Sequence, residues 1–191
     1  MLTCSVHIAA SVDGYIARRD GDIDWLQDPD FAMRGQDLGY EQLMRSIDVV
    51  VMGRRTFEKV LSFGPWPYGE TPTVVLSSGR PAVPEPIAAT VVVRNCTPEA
   101  LVSELAAAGA RHAYVDGGVT IQRFLRAGLI DSLTITTAPV LLGGGVPLFG
   151  EMSEAVRLSL RQSRSYPNGF VQNVYAIERG SRSTLRRGPA I

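Results

Sequence analysis

The sequence predicts an α/β sandwich: a mostly parallel sheet covered by helices and closed by an antiparallel edge. Three observations carry this. Short apolar, β-branched runs alternate with helical patterns along the chain. Runs such as Val49–Met52 are continuously apolar rather than alternating, as suits strands buried on both faces. The last two runs are joined by "YPNG" (166–169), a turn with no helix between them, which makes them a hairpin.

In chain order, the expected strands are 3–11 (TCSVHIAAS), 48–52 (DVVVM), 73–77 (TVVLS), 89–93 (ATVVV), 112–116 (HAYVD), 132–140 (SLTITTAPV), 155–166 and 170–178. Helical patterns fill 37–46, 56–61, 98–108 and 120–127. The third helix has the clearest start: Thr97 is a good N-cap, Pro98 suits the first helical position, and Glu99 adds an acid to the first turn. No repeat or linker divides residues 1–178, which read as a single domain. "RGSRSTLRRGPAI" (179–191) reads as a basic flexible tail.

Composition narrows the function. The chain has 191 residues, 45% hydrophobic and 20% charged, with 19 basic and 19 acidic side chains that cancel. That balance argues against a nucleic-acid or anionic-membrane partner. No apolar stretch approaches the ~20 residues of a membrane span, and the N-terminus lacks the basic segment of a signal peptide. Two cysteines, Cys4 and Cys96, and two histidines, His7 and His112, make no metal-spaced set. A cytoplasmic, metal-free protein acting on a small molecule is the expectation.

Two strand-to-helix junctions carry the chemistry. In "VVMGRRTFEKV" (50–60) a strand stops at Gly53, and Arg54, Arg55 and Thr56 open a helix. Cations at a helix N-terminus oppose the macrodipole, so an anion is expected there. "YVDGGVTIQRFL" (114–125) repeats the arrangement at Gly117 and Gly118. Glycine permits tight turning and close ligand approach, and helix N-termini present free N–H groups. Two such ends at the carboxyl side of neighbouring parallel strands would bracket a diphosphate, with an arginine adding charge-assisted bonds. The competing reading is a pair of ordinary tight turns with solvated arginines. Strand 73–77 ends in "SSGR" (77–80), two hydroxyls and a cation where NAD-binding folds commonly carry an acid. That favours a 2′-phosphate, hence NADPH. The G-x-G-x-x-G fingerprint is absent, so a standard Rossmann site is not expected.

These segments resemble the dihydrofolate reductase superfamily. The chain looks most like the C-terminal reductase domain of the bifunctional riboflavin-biosynthesis deaminase/reductase, with "AASVDGYIA" (9–17), "DGG" (116–118), "LIDSL" (129–133) and "PVLLGGGVPLF" (139–149). The resemblance implies a dihydrofolate reductase-like three-layer sandwich binding NADPH. Gly53, Arg54, Arg55 and Thr56 would hold the diphosphate and adenosine side. Leu76, Ser77 and Ser78 would flank the 2′-phosphate, and Gly117, Gly118, Val119 and Thr120 would form the second phosphate turn. Ala10 and Ile16 would approach the nicotinamide, Trp25 would face the substrate, and Gly143 and Gly144 would line its pocket. A cis peptide is implied at Asp116–Gly117 or Gly117–Gly118.

By the same resemblance, counting sixteen positions back from Gly53 places Asp37 where the folate enzymes carry their proton-relaying carboxylate. Burial would raise its pKa; the alternative is a carboxylate favoured there by the helix dipole. Thr71 stands where the folate enzymes grip the glutamate tail with arginine, so a contact of roughly 1.5–3 kcal/mol is missing and folate is disfavoured. The zinc-binding deaminase half has no counterpart. The expected function is hydride transfer to a C=N or C=O of a small heterocycle or glycosylamine, as in 5-amino-6-(5-phosphoribosylamino)uracil reductases. A dihydrofolate reductase-type activity and a non-catalytic NADP-binding module are the alternatives. The last two strands suggest a homodimer.

Overall fold

The computed structural model describes residues 1–26, 28–31 and 37–178. The expected tail at 179–191 lies outside the described residues.

The centre of the molecule follows from the most apolar run. Strand β3 (Val49–Gly53) buries four consecutive residues. Val49 and Val51 face one core, Val50 and Met52 the other. Such two-sided burial needs a cover on each face, and four helices supply it. Helices α3 (Pro98–Ala107) and α4 (Gly118–Arg126) pack Leu101, Ile121, Phe124 and Leu125 onto the first core. Helices α1 (Tyr40–Ser46) and α2 (Arg54–Leu61) pack Leu43, Phe57 and Val60 onto the second. The spacings 121/124/125 and 57/60 are one helical face each.

Eight strands form one sheet. Besides β3 they are β1 (Thr3–Ser11), β4 (Thr73–Leu76), β5 (Val91–Arg94), β6 (His112–Asp116), β7 (Ser132–Ala138), β9 (Leu158–Ser165) and β10 (Val171–Ile177). Their order is β5-β4-β3-β6-β1-β7-β10-β9. The first six run parallel; β10 pairs antiparallel with β7 and with β9. This is the expected α/β sandwich with an antiparallel edge.

A second, two-stranded sheet was not foreseen. β2 (Tyr15–Ala17) pairs with β8 (Val146–Pro147), joining "DGYIA" to the segment after the glycine triplet. Helix α1 also starts later than its pattern, at Tyr40 rather than Asp37, because Leu38 and Gly39 take φ of 56° and 81°. Left-handed backbone cannot belong to a right-handed helix.

Candidate active site

The carboxyl ends of β4, β3 and β6 line up in register, with Gly53 opposite Leu76 and Met52 opposite Asp116. The two glycine turns are therefore neighbours. They also interlock. A Cβ on Gly53 would stand 2.8 Å from Thr120 Oγ1, and a Cβ on Gly117 would overlap the Thr56 hydroxyl. Each glycine makes room for the threonine that follows the other. Gly117 adds φ of +88°, a conformation that strains any other residue. The implied cis peptide is not there, since the described residues contain none. The glycine's positive φ makes the reversal in its place.

The helix ends at this junction lack the first-turn acid that α1 and α3 carry. α2 and α4 have no side-chain cap and no acid in the first turn, whereas α3 is capped by the Thr97 hydroxyl and carries Glu99. Uncapped amide donors with the positive end of a helix behind them are ready for an anion. Arg54 and Arg55 stand exposed beside them; Arg54 lies 3.8 Å from Glu58 one turn on. Thr120 is buried, while Val119 is 63% exposed at the mouth of the junction. The junction thus sets two uncapped helix N-termini and two exposed arginines side by side.

Ser77 and Ser78 follow Leu76 at the end of β4. Ser77 Oγ accepts from the Gly79 amide at 3.0 Å, and Ser78 and Arg80 are exposed. Ile16 reaches the second turn, its Cδ1 standing 3.1 Å from the position of a Cβ on Gly118, next to Val146 and the Pro147 carbonyl. The β2–β8 pair thus covers Gly118. Ala10, 3% exposed, sits on β1 between this cover and β7.

On the α1 face the sheet's cover is incomplete. His7, Ala9 and Thr134 lie on adjacent central strands, His7 opposite Thr134, yet all remain partly open. Tyr40 meets the His7 ring edge-on, with centroids 6.2 Å apart. Asp116 projects on this same face, at the end of the strand that carries buried Tyr114. Burial pushes the Asp116 carboxyl above the ordinary 3.8; hydrogen bonds from the Gly117 amide, Tyr68 and Tyr114 oppose the shift. The Gly117 bond is 2.8 Å long. Burial also lowers the His7 pKa against the pull of Asp37, favouring the neutral ring, and raises Tyr40 to about 12.

Asp37 itself is exposed. Its carboxylate accepts from the Glu41 amide at 2.7 Å and the Gly39 amide at 3.1 Å, which hold its pKa below 3.8 rather than above it. The expected raised pKa is corrected here: at this exposed position the two amide bonds outweigh the desolvation that would lift it. Of the two readings open from the sequence, this geometry matches the helix-terminal carboxylate. The carboxyl with the raised pKa is Asp116, which the sequence reading treated only as part of the second turn. Its signal was available: an acid at the carboxyl end of a central parallel strand lies where ligands bind in such sheets.

On the substrate side, Trp25 packs with Ala138, Tyr166 and Phe170 and is only 4% exposed; its buried indole N–H has no partner. Gly143 and Gly144 follow β7 in the loop that leads to β8, directly after Leu142, which packs against Trp25's cluster; the Gly143 amide ties the loop to the β1–β2 turn. No three acidic, histidine or cysteine side chains converge as a metal site among the described residues. No described helix is long and apolar enough to cross a membrane.

The profile of the RibD C-terminal domain matches residues 3–172. The chain belongs to the RibD C-terminal domain family. It is 32% identical to YwjB of Bacillus subtilis, an uncharacterized protein, over 84% of this chain and 90% of that one. It superposes on a Shewanella sp. PV-4 protein, provisionally assigned to riboflavin biosynthesis, with TM-score 0.87 and 40% identity over 93% of this chain and all of that one. A more distant match is the Thermotoga maritima diaminohydroxyphosphoribosylaminopyrimidine deaminase/5-amino-6-(5-phosphoribosylamino)uracil reductase. There the TM-score is 0.69 at 16% identity, covering 92% of this chain and 56% of that one, a likeness of fold. RibD-family membership thus rests on sequence, and the fold agrees.

Proposed function

We propose that this RibD-family protein is an NADPH-dependent reductase acting on a C=N or C=O of a small heterocycle or glycosylamine. A phosphoribosylaminopyrimidine of riboflavin biosynthesis is the leading substrate class. The observation that carries the reading is the reciprocal fit of Gly53 with Thr120 and Gly117 with Thr56, which sets two uncapped helix ends side by side. When bound, the nicotinamide cofactor supplies the hydride.

The chain's own residues do the rest. The amides after Gly53 and Gly117 and the guanidinium groups of Arg54 and Arg55 bind the diphosphate. Ser77, Ser78 and Arg80 hold the 2′-phosphate, which selects NADPH over NADH. Ile16 and the β2–β8 cover exclude water from the second turn. Reduction of C=N or C=O also consumes a proton. Asp116 is the group suited to hold one on this face, because burial keeps its carboxyl protonated to higher pH than a free aspartate. Asp37 then serves α1 rather than the substrate. A folate substrate is disfavoured by Thr71.

The assembly proposed is a homodimer through β9. This strand is the last in the sheet, with Leu158 and Leu160 39% and 56% exposed, and its outer edge offers unpaired backbone groups.

The decisive experiment titrates NADPH and NADH against the protein by tryptophan fluorescence, then follows NADPH oxidation with 5-amino-6-(5-phosphoribosylamino)uracil. Tighter NADPH binding with turnover is expected. Equal affinity for the two cofactors would remove the 2′-phosphate assignment, and binding without turnover on any C=N or C=O candidate would leave a non-catalytic NADP-binding module.

A further inference from the structure

Asp13 is exposed on the turn after β1, yet its carboxylate accepts three hydrogen bonds. Oδ1 accepts from the Ser11 hydroxyl at 2.6 Å and from the Leu142 amide at 3.1 Å; Oδ2 accepts from the Gly143 amide at 2.8 Å. Buried Ser11 in turn accepts from the Tyr15 amide at 3.0 Å. A continuous chain therefore runs from Tyr15, the first residue of β2, through Ser11 and Asp13 to the loop 141–145.

That loop cannot hold its shape by itself. Gly143, Gly144 and Gly145 take φ of 68°, 155° and 158°, conformations that leave the segment without regular hydrogen bonding and give glycine a large entropy to lose. Further contacts come from the end of β2 and the residues after it: the Ala17 carbonyl fills the space of a Cβ at Gly145, and the Arg19 guanidinium lies over Gly144. Backbone bonds flank the clasp, Val12 N–H to the Val140 carbonyl at 2.9 Å and Leu148 N–H to the Gly14 carbonyl at 2.9 Å. Between those two ties, the amides of Leu142 and Gly143 meet one carboxylate.

We infer that Asp13 is a positioning residue, the clasp that joins the β1–β2 turn to the glycine loop and thereby holds Ile16 over Gly118. The inference rests on the reading of the Gly53 and Gly117 turns as a dinucleotide cradle. A carboxylate suits the task because two amide donors converge on it. An asparagine would offer one oxygen and turn its own N–H₂ toward a donor.

The test compares wild type with Asp13→Asn, and with Ser11→Ala as a variant that cuts the chain one link earlier. Amide hydrogen exchange is read at Leu142 and Gly143 by NMR, and NADPH and NADH affinities by tryptophan fluorescence. In Asp13→Asn both amides should exchange about tenfold faster or more, and affinity for both cofactors should fall about tenfold. The NADPH/NADH ratio, set at Ser77, Ser78 and Arg80, should stay at the wild-type value. A general loosening of the fold would speed exchange across β1 and β7 as well. Unchanged exchange at 142 and 143, or faster exchange with unaltered affinity, overturns the inference while the cofactor reading stands. If wild type binds no NADPH, the cradle reading fails and the clasp fails with it. Should Asp13→Asn not fold, Ser11→Ala decides, and unaltered affinity in that variant overturns the clasp.

Discussion

Thr56 lies against Gly117 so closely that no side chain fits between them, and Thr120 stands in the same relation to Gly53. The first turns of α2 and α4 are thus each braced by the glycine turn before the other, so the two cannot be altered independently.

Gly53 has ordinary extended backbone, φ −87°, so alanine there meets only the Thr120 hydroxyl. Gly53→Ala should cost about 1–3 kcal/mol by overpacking, and adding Thr120→Ala should return much of it. A urea-melt double-mutant cycle reads the coupling. Purely additive costs would refute the interlock. Gly117→Ala has no such rescue, because its φ of +88° remains strained whatever stands opposite.

The proposed 2′-phosphate contact puts cofactor choice on Arg80. Arg80→Ala should lower NADPH affinity roughly tenfold to a hundredfold, as expected of a charge-assisted hydrogen bond, and leave NADH affinity unchanged. Parallel titrations check it. An equal loss for both cofactors would move the arginine's role away from the 2′-phosphate.

Asp116→Asn should retain NADPH binding and lose turnover. It should also change the pH dependence of stability. A carboxyl whose folded pKa is raised binds more protons folded than unfolded between the two values. Its contribution is full below the unfolded value of about 3.8 and is lost as pH rises through the folded one. His7 has the opposite shift and gives the opposite slope. The difference between wild-type and Asp116→Asn denaturation curves across pH isolates the aspartate. A difference that grows as pH rises would contradict the raised pKa.

Asp37 and Asp48 behave in the contrary way. Asp37 accepts two amides at the start of α1; Asp48 accepts the amides of Arg111 at 2.7 Å and His112 at 2.9 Å, and both carboxyls are held below 3.8. Their contribution is present above the unfolded value and lost as pH falls through the folded ones. Denaturant midpoints of wild type and Asp37→Asn should therefore converge on acidification. A gap that persists in strong acid would assign the effect to packing.

Leu160→Lys on β9 should convert the dimer to monomer while leaving NADPH affinity intact, measured by light scattering and fluorescence. A wild-type monomer would end the assembly proposal.

The elements legible in the sequence were those whose burial is local and periodic. Val49–Met52 announces a central strand without help from elsewhere, and Thr97-Pro98-Glu99 announces a helix start. β2 and β8 were not legible because three and two residues are too few to carry a period. Their pairing depends on the glycine loop bringing Val146 back to Ala17. Ile16 and the glycine turns came from the family resemblance and junction chemistry, and the structure brings them together. Asp116 was missed because its raised pKa is made by burial under packed elements distant in sequence, which no local pattern records. For Asp37 the resemblance offered a role that exposure does not support.

The placement of β6 between β3 and β1 also bears on biosynthesis. As the polypeptide emerges, β1 and β3 each wait with an open side until His112–Asp116 has been made and threaded between them. The nascent N-terminal half is therefore an unfinished sheet with a vacant central slot. Any ligand that bridges the two turns can assist folding only after that slot is filled, when the second turn exists to meet the first.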